Sequence, residues 1–300
     1  MTGTIRTVLG DIEPESLGVC NAHDHLFISS PQLPGQELDD AEAALLELNS
    51  FAALGGQAVV QWTPYGMGQR LLDLPELSRR SGVHLVAATG LHQAKHYAAA
   101  EFAGIRDDLA ELFVHQLTAA PVRAGLIKVA SAFHHIDEHT RHVLAAAAAA
   151  HHATGAPIGV HLEGGTAASA VLDELAGTHG VPPQRVILGH LHRFPDSSIH
   201  RQVAAAGAFV GFEGPSRAHH TVDWRLFDNI AALVESGHTD RILLGGDTVT
   251  ASARSTADGP GMAYLLHTLR PRIERELGLE IATAVFTTNP ARAFSTHWRR

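Results

Sequence analysis

Six residues of this 300-residue sequence have the types and surroundings of divalent-metal ligands. His23 and His25 form a His-x-His pair, and alternate positions of an extended backbone project the same way. Lys128 sits in the apolar run Ala124-Gly-Leu-Ile-Lys-Val-Ala130, where an ammonium must be paired or neutralised to be tolerated. His161, His190 and Asp247 each stand at or near the end of another short apolar run. Four imidazoles, a carboxylate and a lysine exceed the needs of one tetrahedral zinc, and they lack the thiolates common in structural sites. They suit two divalent ions with open positions, zinc being the expected metal. A bridging anion is then needed, and Lys128 carrying CO2 as a carbamate would supply two oxygens. Alone, the lysine reads equally as a snorkelling strand-end residue and the His-x-His as an exposed strand. The conjunction is what points to metal chemistry.

Eight short apolar segments position these residues: 17–23, 57–63, 84–90, 124–130, 157–163, 185–191, 208–213 and 241–247. Most end in Gly or a polar residue, and all are short and mostly apolar, as parallel strands covered on both faces are. Between them the spacing predicts amphipathic helices over 39–54, with Asp40 as cap, and over 105–117, 138–153, 167–179, 197–206 and 223–236. A further helix is expected to start at or near Asn289. Alternating strands and helices predict an α/β fold, the (β/α)8 TIM barrel, whose active sites lie at the C-terminal strand ends. A doubly wound sheet is the alternative, but no Gly-rich dinucleotide fingerprint follows the first strand. Without a low-complexity linker or internal repeat, residues 1–300 read as a single barrel domain.

The net charge of −9 argues against a nucleic-acid binder, and a small-molecule substrate is expected instead. The single cysteine, Cys20, excludes an internal disulfide and fits a reducing compartment. No signal-peptide h-region opens the sequence, and the longest alanine run is too short to span a bilayer, so a cytoplasmic protein without membrane contact is expected. Of the 22 histidines, His134, His135, His151, His152, His219 and His220 read as surface residues.

Several stretches carry a resemblance over nearly the whole chain. They are Leu17-Gly-Val-Cys-Asn-Ala-His-Asp-His25, Val83-His-Leu-Val-Ala-Ala-Thr-Gly90, Arg123-Ala-Gly-Leu-Ile-Lys-Val-Ala130, Ala153-Thr-Gly-Ala-Pro-Ile-Gly-Val-His161, Val186-Ile-Leu-Gly-His190, Ile242-Leu-Leu-Gly-Gly-Asp247 and Thr288-Asn-Pro-Ala-Arg292. Through them the chain resembles the phosphotriesterase family of the amidohydrolase superfamily, which includes phosphotriesterase-like lactonases. The resemblance implies that His23, His25, Lys128 and Asp247 bind one ion, and that Lys128, His161 and His190 bind a second. It also implies a homodimer. The expected reaction is hydrolysis of a lactone or related carboxylic ester by a hydroxide bridging the metals, with Asp247 as general base. An amidase or a phosphotriester or phosphoester hydrolase on the same centre is the alternative.

Around the reacting centre the sequence departs from the family's pattern. His92 follows Leu91 where members often carry an aromatic residue, and His190-Leu-His192-Arg193 replaces an acidic stretch. Glu213 still closes the seventh segment. Either the proton relay from Asp247 is rebuilt through His192 or Glu213, or Arg193 and Glu213 pair structurally. Thr248 to Gly261 reads as a mobile substrate loop. Trp62, Tyr65, His92, Lys95, His96, Arg193 and Arg217 are the residues expected to line the substrate pocket.

Overall fold

The computed structural model describes residues 3–32, 34–35, 37–214 and 223–299. Arg217, His219 and His220 lie outside the described residues. All eight apolar segments form parallel strands. They are β3 (Cys20–Asp24), β4 (Ala58–Gln61), a third strand interrupted at Ala87 into β5 (His84–Val86) and β6 (Ala88–Thr89), β7 (Leu126–Ser131), β8 (Ile158–Leu162), β9 (Val186–Gly189), β10 (Phe209–Glu213) and β11 (Ile242–Gly245). Two hydrogen-bonded runs, β3-β4-β5 and β6 through β11, make up the wall. The ring closes where Gly246 and Asp247 both donate their N–H to the His23 carbonyl, at 2.9 and 3.0 Å. Gly125 donates to the Ala87 carbonyl at 2.8 Å across the break in the third strand. The fold is the (β/α)8 barrel.

An antiparallel hairpin, β1 (Ile5–Thr7) and β2 (Gly10–Ile12), precedes the barrel. Its strands are three residues long, too short for any periodic signal. Ile5 packs with Leu17 and Phe294 in the cluster that fills the barrel interior. Arg6 holds Asp11 with both forks, at 2.8 and 2.9 Å, and lies over the Trp298 ring.

Helices form the outer layer. The Asp40 carboxylate accepts the N–H groups of Glu42 and Ala43, starting α1 (Ala41–Ala53) as expected. Between strands two and three lies α2 (Leu74–Ser81), which begins with Pro75 and ends at left-handed Gly82. The expected 105–117 helix divides into the end of α3 (Ala99–Ile105), a 3-10 turn and α4 (Leu109–Thr118). Next come α5 (Glu138–Thr154), capped by Asp137, then α6 (Ala168–Leu172), α7 (Ser197–Ala205) and α8 (Leu226–Glu235). Beyond the barrel strands follow α9 (Arg270–Glu276), α10 (Leu279–Thr283) and α11 (Asn289–Phe294). A π turn joins α10 to α11, so Asn289 lies inside a helical stretch, and its amide donates to the carbonyls of Thr239 and Ile242. His151, expected at the surface, is buried on α5 with Nδ1 2.6 Å from the Ala156 carbonyl. No described helix is long and apolar enough to cross a membrane.

The segment after β11 is fastened rather than loose over its far half. The buried Glu47 carboxylate on α1 accepts the Ser255 N–H and hydroxyl at 2.9 and 2.8 Å and the Met262 N–H at 2.7 Å. Arg254 donates to the Leu26 carbonyl at 2.5 Å.

Candidate metal centre

His23 and His25 rise from the end of β3 with ring centroids 5.5 Å apart. Each Nε2 lies 3.4 Å from Asp247 Oδ1, which the end of β11 brings across the closed ring. The tautomers follow from the partners. Thr63 donates its only hydroxyl proton to the Phe27 carbonyl at 2.5 Å, so His25 Nδ1–H donates to Thr63 Oγ1 at 2.8 Å. His23 Nδ1 donates to Glu213 Oε1 at 2.9 Å. Both Nε2 lone pairs therefore face Asp247, the arrangement a metal-binding histidine needs. Beneath His23 the Trp62 indole stacks at 3.9 Å with its Nε1–H on the Ala22 carbonyl. Trp62 thus supports the centre from the barrel core and does not line the cleft. Tyr65 is also absent from the cleft wall, and its carbonyl receives the Tyr97 hydroxyl.

His161 and His190 meet on the other side, with His161 Nδ1 2.7 Å from His190 Nε2. Glu213 Oε2 takes the His190 backbone N–H at 3.0 Å and its Nδ1 at 3.1 Å. His190 Nε2 is therefore a bare lone pair. A neutral His161 has one ring proton. Placed on Nδ1 it satisfies His190 but leaves the buried Nε2 without a partner; placed on Nε2, 3.4 Å from Glu163 Oε2, it sets two lone pairs against each other. A cation between the two rings removes both costs, so the donor set fits a metal. Burial holds His161 at about 4, and it holds His190 well below the imidazole range, so both are neutral donors.

Lys128 lies in β7 beside Gly159 of β8, two residues before the Ala130–His161 pair in the register. It is buried, and desolvation pulls its ammonium down to about 7 against the charges of Asp247 and Glu163. Gly90, at φ 107, lets the Lys128 backbone come close, since a Cβ there would stand 1.9 Å from the Lys128 carbonyl oxygen. Burial opposes ionisation of Asp247, but the neighbouring His190, His23, His25 and Arg193 outweigh it and hold the carboxyl well below its usual range.

Arg193 donates to Asp247 Oδ2 at 2.6 Å, so it pairs with Asp247 rather than with Glu213. The Glu213 oxygens are occupied by His23 and His190, and His192 stands behind them with Nδ1 3.1 Å from Oε2. A cleft of about 430 Å³ opens above the centre, and Ile28, Met67, His92, Lys95, His96 and Val249 form part of its wall. His92 is buried 4.6 Å from the His161 ring. A larger hollow, about 960 Å³, lies between the hairpin and the C-terminal tail, where Arg6 is already paired with Asp11.

Sequence reasoning passed over Asn21, Asp24, Thr63 and Glu163. Each is a polar residue in or at the end of an apolar strand segment, and a buried polar group needing a partner is the signal that would have found them.

The phosphotriesterase family profile matches residues 3–294. A phospho-furanose lactonase of Mycoplasmopsis synoviae is 27% identical over 98% of this chain and 92% of its own. One from Mycoplasmopsis agalactiae is 31% identical over 75% and 70%. Among solved structures, a lactonase from Listeria monocytogenes superimposes with a TM-score of 0.91 at 29% identity, covering 97% of this chain and 99% of that one. An amidohydrolase from Mycoplasma synoviae gives 0.92 at 26% identity, covering 99% and 93%. With its barrel and its ring of histidines around Lys128 and Asp247, the chain belongs to the phosphotriesterase family and is a hydrolase.

Proposed function

We propose that this protein is a binuclear metal-dependent lactonase that opens a compact, polar lactone or related carboxylic ester. The observation that carries the reading is the close approach of His161 Nδ1 and His190 Nε2, 2.7 Å apart, in the cleft that also holds Lys128 and the His23–His25–Asp247 group. When bound, two divalent ions supply a nucleophilic water usable at neutral pH and a Lewis acid for the substrate carbonyl.

The chain's own groups do the rest. His23, His25 and Asp247 would hold one ion, and His161 and His190 would hold the other. Lys128, once carbamylated, would offer its two oxygens to both sides. Its depressed affinity for a proton leaves neutral amine available to take up CO2 near pH 7. Asp247 Oδ1 faces the histidine pair and accepts the proton of the attacking water. Arg193 occupies Oδ2 and keeps its own protons, so it orients the base and relays nothing. Lys95 and Arg193 place positive charge on the cleft wall, which suits an anionic substituent such as that implied by the name of the phospho-furanose lactonase relatives.

Metal analysis of the purified protein, combined with turnover of a panel of lactones, linear esters, amides and phosphoesters, tests the reading. The expected result is two divalent equivalents per chain and lactone hydrolysis that disappears on chelation. A metal-free active enzyme, or turnover of amides or phosphoesters without lactones, overturns it.

A further inference from the structure

Between the two histidines of the His-x-His pair lies Asp24, fully buried and not part of the cleft wall. Its Oδ1 accepts the N–H of His25 at 2.8 Å and of Thr248 at 2.9 Å. Its Oδ2 accepts the Asn21 side-chain amide at 2.5 Å. The Asn21 carbonyl oxygen in turn accepts the N–H of Gly246 at 3.1 Å and of His23 at 3.4 Å. Two side chains of β3 therefore hold the backbone of both histidines and both neighbours of Asp247.

Asp247 needs holding. Its φ of 52° is in the left-handed region, where a side-chain-bearing residue is strained and persists only if its surroundings enforce it. Gly246 has no room for a side chain, since a Cβ there would stand 2.3 Å from Asp24 Oδ2. Thr248 on one side and Gly246 on the other are fixed by the pair, and Asp247 N–H is fixed by the His23 carbonyl.

We propose that Asn21 and Asp24 act as one positioning unit, which forces Asp247 into its left-handed conformation and sets its carboxylate against His23 and His25. The proposal rests on the metal reading of the site. It concerns alignment through hydrogen bonds, not charge, because neither side chain reaches the cleft.

The hydrogen-bond pattern supplies its own test. In D24N the new amide nitrogen opposes the Asn21 amide nitrogen, and flipping Asn21 only moves the conflict to the Gly246 N–H. In the exchange variant N21D/D24N every bond is restored with donor and acceptor traded between the two side chains. Cobalt(II) affinity of the full chain, by competition with a chelator, and the visible spectrum of bound cobalt are the readouts, with thermal unfolding of the chelated protein alongside.

D24N is expected to bind cobalt at the His23–His25–Asp247 group roughly 10- to 100-fold more weakly, with an altered spectrum, as loss of a ligand-supporting residue does. The exchange variant is expected to recover the natural affinity and spectrum. A D24N chain that binds cobalt like the natural one, or an exchange variant as weak as D24N, overturns the proposal. Should D24N not fold, the exchange variant decides alone: natural binding supports the unit and weak binding refutes it. A natural chain that takes up no cobalt overturns the metal reading instead.

Discussion

The two halves of the centre are built to different tolerances. On the β3–β11 side, the candidate ligands are held by buried partners. His25 is held by Thr63, His23 by Glu213 and the Trp62 face, and Asp247 by Arg193 and the barrel-closing backbone bonds. On the β8–β9 side, His190 is fixed by Glu213, but His161 rests between the cleft and Glu163, with its side chain 16% exposed. Glu163 itself is shared with Gln93 and Lys95, and His161 first, then Lys95 and Gln93, hold its carboxyl well below the usual range against its burial. The enclosed half is a fixed floor. The other half opens to the cleft and depends on groups that line it, so it is the half that a bound substrate would adjust.

In the proposed centre Lys128 would join both halves, and its removal is the strongest way to erase the difference. In Lys128→Ala both ions are expected to be lost together, and turnover to fall by more than the roughly 10- to 100-fold typical of a supporting residue. Metal analysis by atomic absorption checks this, and full binuclear content in the variant rules out the carbamate bridge. His161→Ala should split the centre. One divalent equivalent is expected to remain on the enclosed side, with the second lost and hydrolysis strongly reduced. Loss of both equivalents would show that the enclosed half does not stand alone. Gly159→Ala probes how little the floor tolerates. Its new methyl would meet the Trp62 ring, which stacks on His23, at 2.9 Å. Overpacking of this kind costs about 1–3 kcal/mol, to be read from denaturant unfolding of the metal-free chain. An unchanged unfolding midpoint would mean that the indole has room to give.

Six polar residues in apolar runs were enough to locate the strand ends that matter, because burying a charge or an imidazole without purpose is costly. Alternation of short apolar strands with helical segments then led to the barrel. Other features are set by contacts between segments distant in sequence. Trp62 follows β4 at a strand end and so resembled a cleft residue. Its ring turns inward because Gly159 and Gly189, from two other strands, leave it space. The partner of Arg193 depends on the turn opened by His190, itself at φ 67, which directs the guanidinium to Asp247. The β1–β2 hairpin and α2 are too short to show a period. The stretch after β11 is rich in small polar residues, as mobile loops are, and nothing local discloses that its anchor is a glutamate on α1 more than 200 positions away.

That anchor divides the stretch into two parts with different evolutionary freedom. Ser255, Gly261 and Met262 are committed to Glu47, and Gly261 has no room for a side chain, since its Cβ would stand 2.2 Å from Glu47 Oε1. Val249, which reaches the cleft, precedes those moorings. Substitutions at the Val249 end can diversify what the enzyme accepts while the Glu47 end preserves the fold, so new substrate preferences can be inherited without rebuilding the barrel.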